Sequence, residues 1–106
     1  MSSSKIIPYG KQDISAEDVE FVTEVLKSEW LTQGPIVPKL EKAIANYVGS
    51  NFCSLVNSAT SALHISCLAI GLKEGDIVWT SPNTFVASAN CAKLCGAKVD
   101  FVDIDE

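Results

Sequence analysis

Phe52-Cys-Ser-Leu-Val-Asn-Ser-Ala-Thr-Ser-Ala-Leu-His64 reads as a buried strand that turns, through small hydroxyl-bearing residues, directly into a helix. The first backbone N–H groups of a helix have no partner inside it, so such a junction is a ready anion site. Ser58, Thr60 and Ser61 add hydroxyls where a phosphate would sit, and Ala59 and Ala62 leave room for it to approach the backbone. The same residues have a plainer reading, in which Ser58 or Thr60 only caps the helix, a contribution of about 0.5–2 kcal/mol. The junction is not a nucleoside-triphosphate loop, having no Gly-Lys-Ser/Thr. Nor is it a dinucleotide fingerprint, having no Gly-x-Gly-x-x-Gly.

Downstream the pattern alternates. It predicts a helix over Thr60–Ile70, a strand over Ile77–Thr80, a helix over Thr84–Leu94 and a strand over Val99–Ile104, with Gly71 and Gly96 after the helix ends. With the strand expected at Phe52–Val56 this is a βαβαβ run, and short links between alternating elements imply parallel pairing through crossovers. The fold class is therefore α/β. Upstream, Ser15-Ala-Glu-Asp18 is a capping box with Asp in the place of Glu, followed by Val19, Val22, Val25 and Leu26 at helical spacing and an end near Ser28. A second helix is expected from about Val37 to Tyr47, stopped by Gly49. Glu29–Pro35 is the loop between them, and Met1–Asp13 reads as extended, with an apolar stretch and turn at Ile6-Ile7-Pro8-Tyr9-Gly10. The chain divides into an arm, first helix and loop (1–35) and the start of an α/β domain (36–106). Three parallel strands alone would leave open edges, so we read the chain as the front part of a larger enzyme.

Composition narrows the function classes. At 106 residues there is room for one domain at most, and 47% hydrophobic content is enough for a core. A net charge of −5, with the eight lysines scattered along the chain, argues against a nucleic-acid footprint. No apolar run approaches a membrane span, and Met1-Ser-Ser-Ser-Lys5 lacks an apolar signal core, so a cytoplasmic location is expected. Cys53, Cys67, Cys91 and Cys95 show no Cys-x-x-Cys, and the single His64 stands at no ligand-like spacing from them. They read as small buried hydrophobes; Cys91 and Cys95 share one helix face. No metal site is expected.

Three other places bear on chemistry. Ser81-Pro-Asn-Thr-Phe-Val-Ala-Ser-Ala-Asn90 follows a strand, where open α/β sheets place ligands. There Phe85 either stacks on a planar ring or packs into the core. Trp30-Leu-Thr-Gln-Gly is either a binding loop or a loop whose Trp30 plugs a gap beneath it. His64 has no partner acid in view, and none of the lysines is evidently desolvated as a Schiff-base lysine would be.

Trp30-Leu-Thr-Gln-Gly-Pro35, Asn57-Ser-Ala-Thr-Ser-Ala-Leu63 and Thr80-Ser-Pro-Asn-Thr-Phe-Val-Ala-Ser-Ala-Asn90, in that order, resemble the DegT/DnrJ/StrS family of sugar aminotransferases, pyridoxal-phosphate enzymes of fold type I. Ile7-Pro-Tyr-Gly10 and Val99-Asp-Phe-Val-Asp-Ile-Asp105 fit the same pattern, so the resemblance spans nearly the whole chain. Within the family, the Ser-Ala-Thr-Ser variant and Ser-Pro-Asn-Thr-Phe-Val are most similar to the branch that serves pseudaminic acid biosynthesis. That branch aminates a UDP-linked 4-keto-6-deoxy amino sugar with nitrogen from glutamate. The resemblance implies that Ala59, Thr60 and Ser61 hold the phosphate of pyridoxal 5′-phosphate and that Phe85 stacks on its ring. It implies that Tyr9, Glu29, Trp30, Leu31 and Thr32, with Ala59, line the nucleotide-sugar pocket. It also implies a homodimer with the active site at the subunit interface.

The family's Schiff-base lysine, and the acid that pairs with the pyridine nitrogen, match nothing in residues 1–106 and are expected downstream. No catalytic residue is assigned here, and these residues alone are expected to be inactive. Two alternatives stand beside this reading. One is a stand-alone, non-catalytic α/β module that binds a phosphorylated ligand or a partner. The other is a relative that uses the same cofactor for sugar dehydration, with histidine in place of the lysine.

Overall fold

The capping box at Ser15 forms, and it starts α1 (Ala16–Leu26) in the computed structural model of the chain, which describes residues 8–105. Asp18 Oδ2 accepts from the Ser15 backbone N–H at 2.8 Å and from its hydroxyl at 2.9 Å, while the Asp18 N–H donates to Ser15 Oγ at 3.2 Å. The backbone bond from Ser15, aided by the hydroxyl, holds the Asp18 carboxyl below the usual carboxylate range. Val19, Val22 and Leu26 form the expected apolar stripe and lie exposed. The stretch expected over Ile6–Gly10 is described only from Pro8 onward; Met1–Ile7 lie outside the described residues. Pro8–Ile14 joins no helix or strand.

α2 (Ile36–Val48) starts one residue earlier and ends one later than its periodicity predicts. Pro38 is tolerated in its first turn, where the missing N–H would have no intrahelical partner in any case. Gly49 stops it in the left-handed conformation (φ 72°), its N–H returning to the Ala45 carbonyl. Ala45 is buried.

The chain forms two compact units, one reaching to Phe52 and the other beginning at Cys53. The second unit carries α3 (Ala59–Ala69), β1 (Ile77–Thr80), α4 (Ala87–Leu94) and β2 (Lys98–Phe101). The strands are parallel, with Val78 opposite Val99 and Thr80 opposite Phe101. Further rungs run from the Lys98 N–H to the Asp76 carbonyl (2.9 Å) and from the Val102 N–H to the Thr80 carbonyl (3.0 Å). Val78, Thr80 and Val99 are half-buried, whereas Ile77 and Trp79 on the opposite face are exposed. α4 packs on both strands and on α3. Its inner residues are small: Ala87, Cys91 and Ala92 are buried, with Ala97 beside them, and Ala92 has no exposed surface at all. Small side chains let the helix lie close to the sheet, and that contact is the core of the unit.

The α/β reading holds, with one correction. Phe52–Val56, expected as a buried first strand, is extended but joins no ladder among the described residues, and Phe52 is 90% exposed. Cys53 and Leu55 are half-buried while Phe52, Ser54 and Val56 are exposed, so the period-two alternation of a strand persists. Local propensity makes a chain extended; a strand also needs a neighbour's N–H and C=O groups in register. α4 begins at Ala87 rather than Thr84, because Thr84–Val86 form the turn that leads into it.

All four cysteines are free thiols. Burial, with the Cys91 and Cys95 thiols beside it, pushes the Cys67 thiol up from its ordinary value. Among the described residues no group of three or more His, Cys, Asp or Glu is disposed to hold a metal ion. Among them, too, no helix is long and apolar enough to cross a membrane.

Candidate cofactor and substrate sites

The Asn57–Ser61 junction is built by its own hydrogen bonds. Ser58 is the N-cap of α3, with extended backbone (φ −161°, ψ 156°), and its hydroxyl accepts from the Ser61 N–H at 3.2 Å. The Ser61 hydroxyl donates to Asn57 Oδ1 at 2.9 Å and stands 3.0 Å from Ser58 Oγ. Of the two capping candidates the structure selects Ser58, and it places Ala59, Thr60 and Ser61 at the first three helical positions. The amides of Ala59 and Thr60 belong to the first turn, which has no intrahelical acceptors. Ala59 and Thr60 are exposed and Ser61 is half-buried. The helix dipole adds partial positive charge at this end. Small side chains, the Ala59 and Thr60 amides without helical partners and the Thr60 hydroxyl fit a phosphate group, while the Ser61 N–H and hydroxyl proton are held by Ser58 and Asn57.

In the same unit, Phe85 is 74% exposed, so it does not pack into the core that the described residues form. Its backbone is nonetheless held: the Phe85 carbonyl accepts from the Ser88 N–H at 3.0 Å, in the turn that opens α4. The Asn83 N–H donates to Ser81 Oγ at 3.2 Å, and Thr84 Oγ1 lies 3.3 Å from Ser88 Oγ. An exposed aromatic ring on a fixed turn can stack on a planar heterocycle. His64 is half-buried on α3, three residues beyond Ser61.

In the N-terminal unit, Glu29, Trp30, Leu31 and Thr32 form the exposed loop between α1 and α2. Trp30 is 65% and Leu31 61% exposed, so Trp30 does not plug a gap in its own unit. Tyr9 is fully exposed. The structure thus gathers Glu29–Thr32 on one loop and Ala59–Ser61 at one helix end, with Phe85 on a separate turn of the second unit. An open groove along α1, lined by Asp13, Ile14, Asp18, Val19, Val22 and Thr23, includes none of these residues. Sequence reasoning passed over Asn57 as a partner for Ser61; its place four residues before a helix-start serine was the available signal.

The model of the DegT/DnrJ/EryC1/StrS aminotransferase family matches residues 12–106. The chain belongs to this family. Among curated relatives, it is 46% identical over 99 residues to a UDP-4-amino-4,6-dideoxy-N-acetyl-beta-L-altrosamine transaminase of Campylobacter jejuni, a match that covers 93% of the chain and 26% of that protein. Among solved structures, it superposes on Helicobacter pylori PseC, an aminotransferase involved in the biosynthesis of pseudoaminic acid, with a TM-score of 0.86 at 33% identity, covering 95% of the chain and 28% of PseC. The sugar aminotransferase Spr1654 of Streptococcus pneumoniae, described as putative and solved in its PLP form, gives a TM-score of 0.84 at 31% identity, over 93% of the chain and 25% of Spr1654. The chain spans about a quarter of the length of the relatives it matches. These structures carry the fold reading as well: a family member's α/β fragment, the start of a fold-type-I large domain.

Proposed function

We propose that the protein bearing this chain is a pyridoxal-phosphate-dependent aminotransferase that moves nitrogen from glutamate to a UDP-linked 4-keto-6-deoxy amino sugar. The observation that carries this reading is the family match over residues 12–106, supported by the likeness to the C. jejuni transaminase and to PseC. Pyridoxal 5′-phosphate, when bound, supplies the electron sink through which an amino group passes between donor and acceptor. The residues of this chain bind and orient. Ala59, Thr60 and Ser61 hold the phosphate by backbone amides and hydroxyls, with the positive end of α3 behind them. Phe85 covers one face of the ring. Tyr9, Glu29, Trp30, Leu31 and Thr32, together with Ala59, contact the nucleotide sugar.

Residues 1–35 then serve as arm and substrate loop, and residues 36–106 open the cofactor-binding domain. The intact enzyme works as a cytoplasmic homodimer. The proton-transferring residue lies outside this chain's assignments, since none of its lysines matches the family's Schiff-base motif.

The test is direct. The full-length protein is purified with the cofactor and incubated with glutamate and a UDP-4-keto-6-deoxy amino sugar, and the sugar product is identified by mass spectrometry. An amino sugar formed with release of 2-oxoglutarate is the expected result. A dehydrated sugar would replace transamination by the dehydratase reading, and an unchanged sugar with no cofactor bound would overturn both. Thr60→Val is expected to weaken cofactor retention on dialysis, followed by the visible absorption band. Phe85→Leu is expected to shift that band without lowering stability.

A further inference from the structure

The loop between α1 and α2 is closed by contact of its backbone with itself. A Cβ placed on Gly34 would stand 2.6 Å from the Trp30 carbonyl oxygen, 3.1 Å from Trp30 Cβ and 3.3 Å from the Trp30 carbonyl carbon. Two of those atoms are backbone and the third is a Cβ, so no change of rotamer relieves the contact. Gly34 itself does not use the left-handed region; the loop residue that does is Gln33, at φ 52°. Space, not backbone conformation, therefore requires glycine at position 34. Gly49 is the converse case, left-handed with nothing within 4 Å of its Cβ direction.

Both ends of this loop are anchored. The Ser28 hydroxyl donates to the Val25 carbonyl at 2.7 Å and reaches the Trp30 carbonyl at 3.4 Å. Pro35 opens α2, its carbonyl accepting from the Lys39 N–H at 3.3 Å. Between the anchors Trp30 and Leu31 remain mostly exposed. An aromatic and an aliphatic side chain are thus presented outward from a backbone whose path depends on the missing side chain at 34.

We propose that Gly34 is a positioning residue for the nucleotide-sugar pocket: by letting the chain close onto the Trp30 backbone, it sets how Trp30, Leu31 and Thr32 meet the nucleotide part of the substrate. The proposal rests on the function proposed above. In the full-length enzyme, Gly34→Ala is expected to raise KM for the UDP-sugar about tenfold. UDP titrated calorimetrically should lose affinity by the same factor. By contrast, kcat, KM for glutamate and the cofactor's visible band should stay as in the wild type. Because Trp30→Ala keeps the backbone carbonyl that a Cβ at 34 would meet, Gly34→Ala should cost UDP affinity in the Trp30→Ala background too, through Leu31 and Thr32, but by a smaller factor than in the wild type.

An unchanged KM in a folded Gly34→Ala enzyme would overturn the proposal. A parallel loss in kcat and in both KM values with a lowered Tm would also overturn it, as the mark of a merely structural glycine. Where Gly34→Ala does not fold, Gln33→Val tests the same loop, because a β-branched residue disfavours the left-handed conformation (φ 52°) on which the loop's path depends. It should raise KM for the UDP-sugar while leaving kcat intact, and an unchanged KM there refutes the idea. A wild-type enzyme that neither binds UDP nor aminates the sugar would defeat the proposed function and this inference together. Wild-type activity alongside an unaffected Gly34→Ala enzyme would defeat the inference alone.

Discussion

Removing the Ser58 hydroxyl separates a cap from a ligand. Ser58 is extended, so alanine and glycine both accept its backbone conformation, and what Ser58→Ala loses is the acceptor for the Ser61 N–H at 3.2 Å. Because the site is exposed, water takes up part of the loss, and the cost falls in the lower half of the N-cap range, about 0.5–1 kcal/mol. Ser58→Gly should cost only a few tenths of that unit, since water reaches the bare backbone more easily. The assay is urea denaturation of the cofactor-stripped full-length protein, followed by far-UV circular dichroism. Bound cofactor would otherwise raise apparent stability by mass action. The denaturant slope grows with size and exceeds about 3 kcal/mol/M for a full-length protein, so the Ser58→Ala midpoint should fall by no more than about 0.3 M. Cofactor affinity should not fall, because the freed Ser61 amide then faces the phosphate. An unmoved midpoint with a tenfold or greater loss of cofactor affinity would refute this reasoning and make Ser58 a phosphate ligand.

Ala92 has no exposed surface where α4 meets the sheet, so Ala92→Leu should destabilise the fold by about 1–3 kcal/mol through overpacking. A denaturation midpoint equal to wild type would show that this contact is loose. The Asp18 carboxyl titrates lower when folded than when unfolded, so its contribution to α1 is complete above the ordinary carboxylate value near ~3.9 and is lost as pH falls through the folded value. Asp18→Asn should flatten that part of the acid limb of stability, and an identical limb in both proteins would count against it. Cys67, raised by burial and by its two neighbouring thiols, should be alkylated by iodoacetamide more slowly at pH 8 than a small free thiol is. Peptide mass mapping over time reads the rate, and labelling as fast as the small thiol would contradict the packing of α3 on α4.

Much of the local structure was legible because its causes lie within a few residues. The box at Ser15 and Asp18, the Gly49 stop and the period of α2 involve partners no more than one helical turn or a few turns away along the chain. The phosphate-type junction was legible for the same reason, although sequence left Ser58 and Thr60 as equal capping candidates. Exposure is a property of the folded surroundings, so that Phe85 and Trp30 stand exposed among the described residues was not legible in the sequence.

By itself, then, the sequence determined the four helices, the two paired strands to within a few residues, and, through motifs in their order, the family. Tertiary structure decided what depends on residues distant in the chain. It withheld a ladder from Phe52–Val56 among the described residues, since pairing needs a second strand that no local preference supplies. It put Cys67 of α3 beside Cys91 of α4 and Cys95, the residue that caps α4. The Gly34 contact is local, four residues from Trp30, yet the need for glycine there follows from the loop's backbone path and not from the residue types along it.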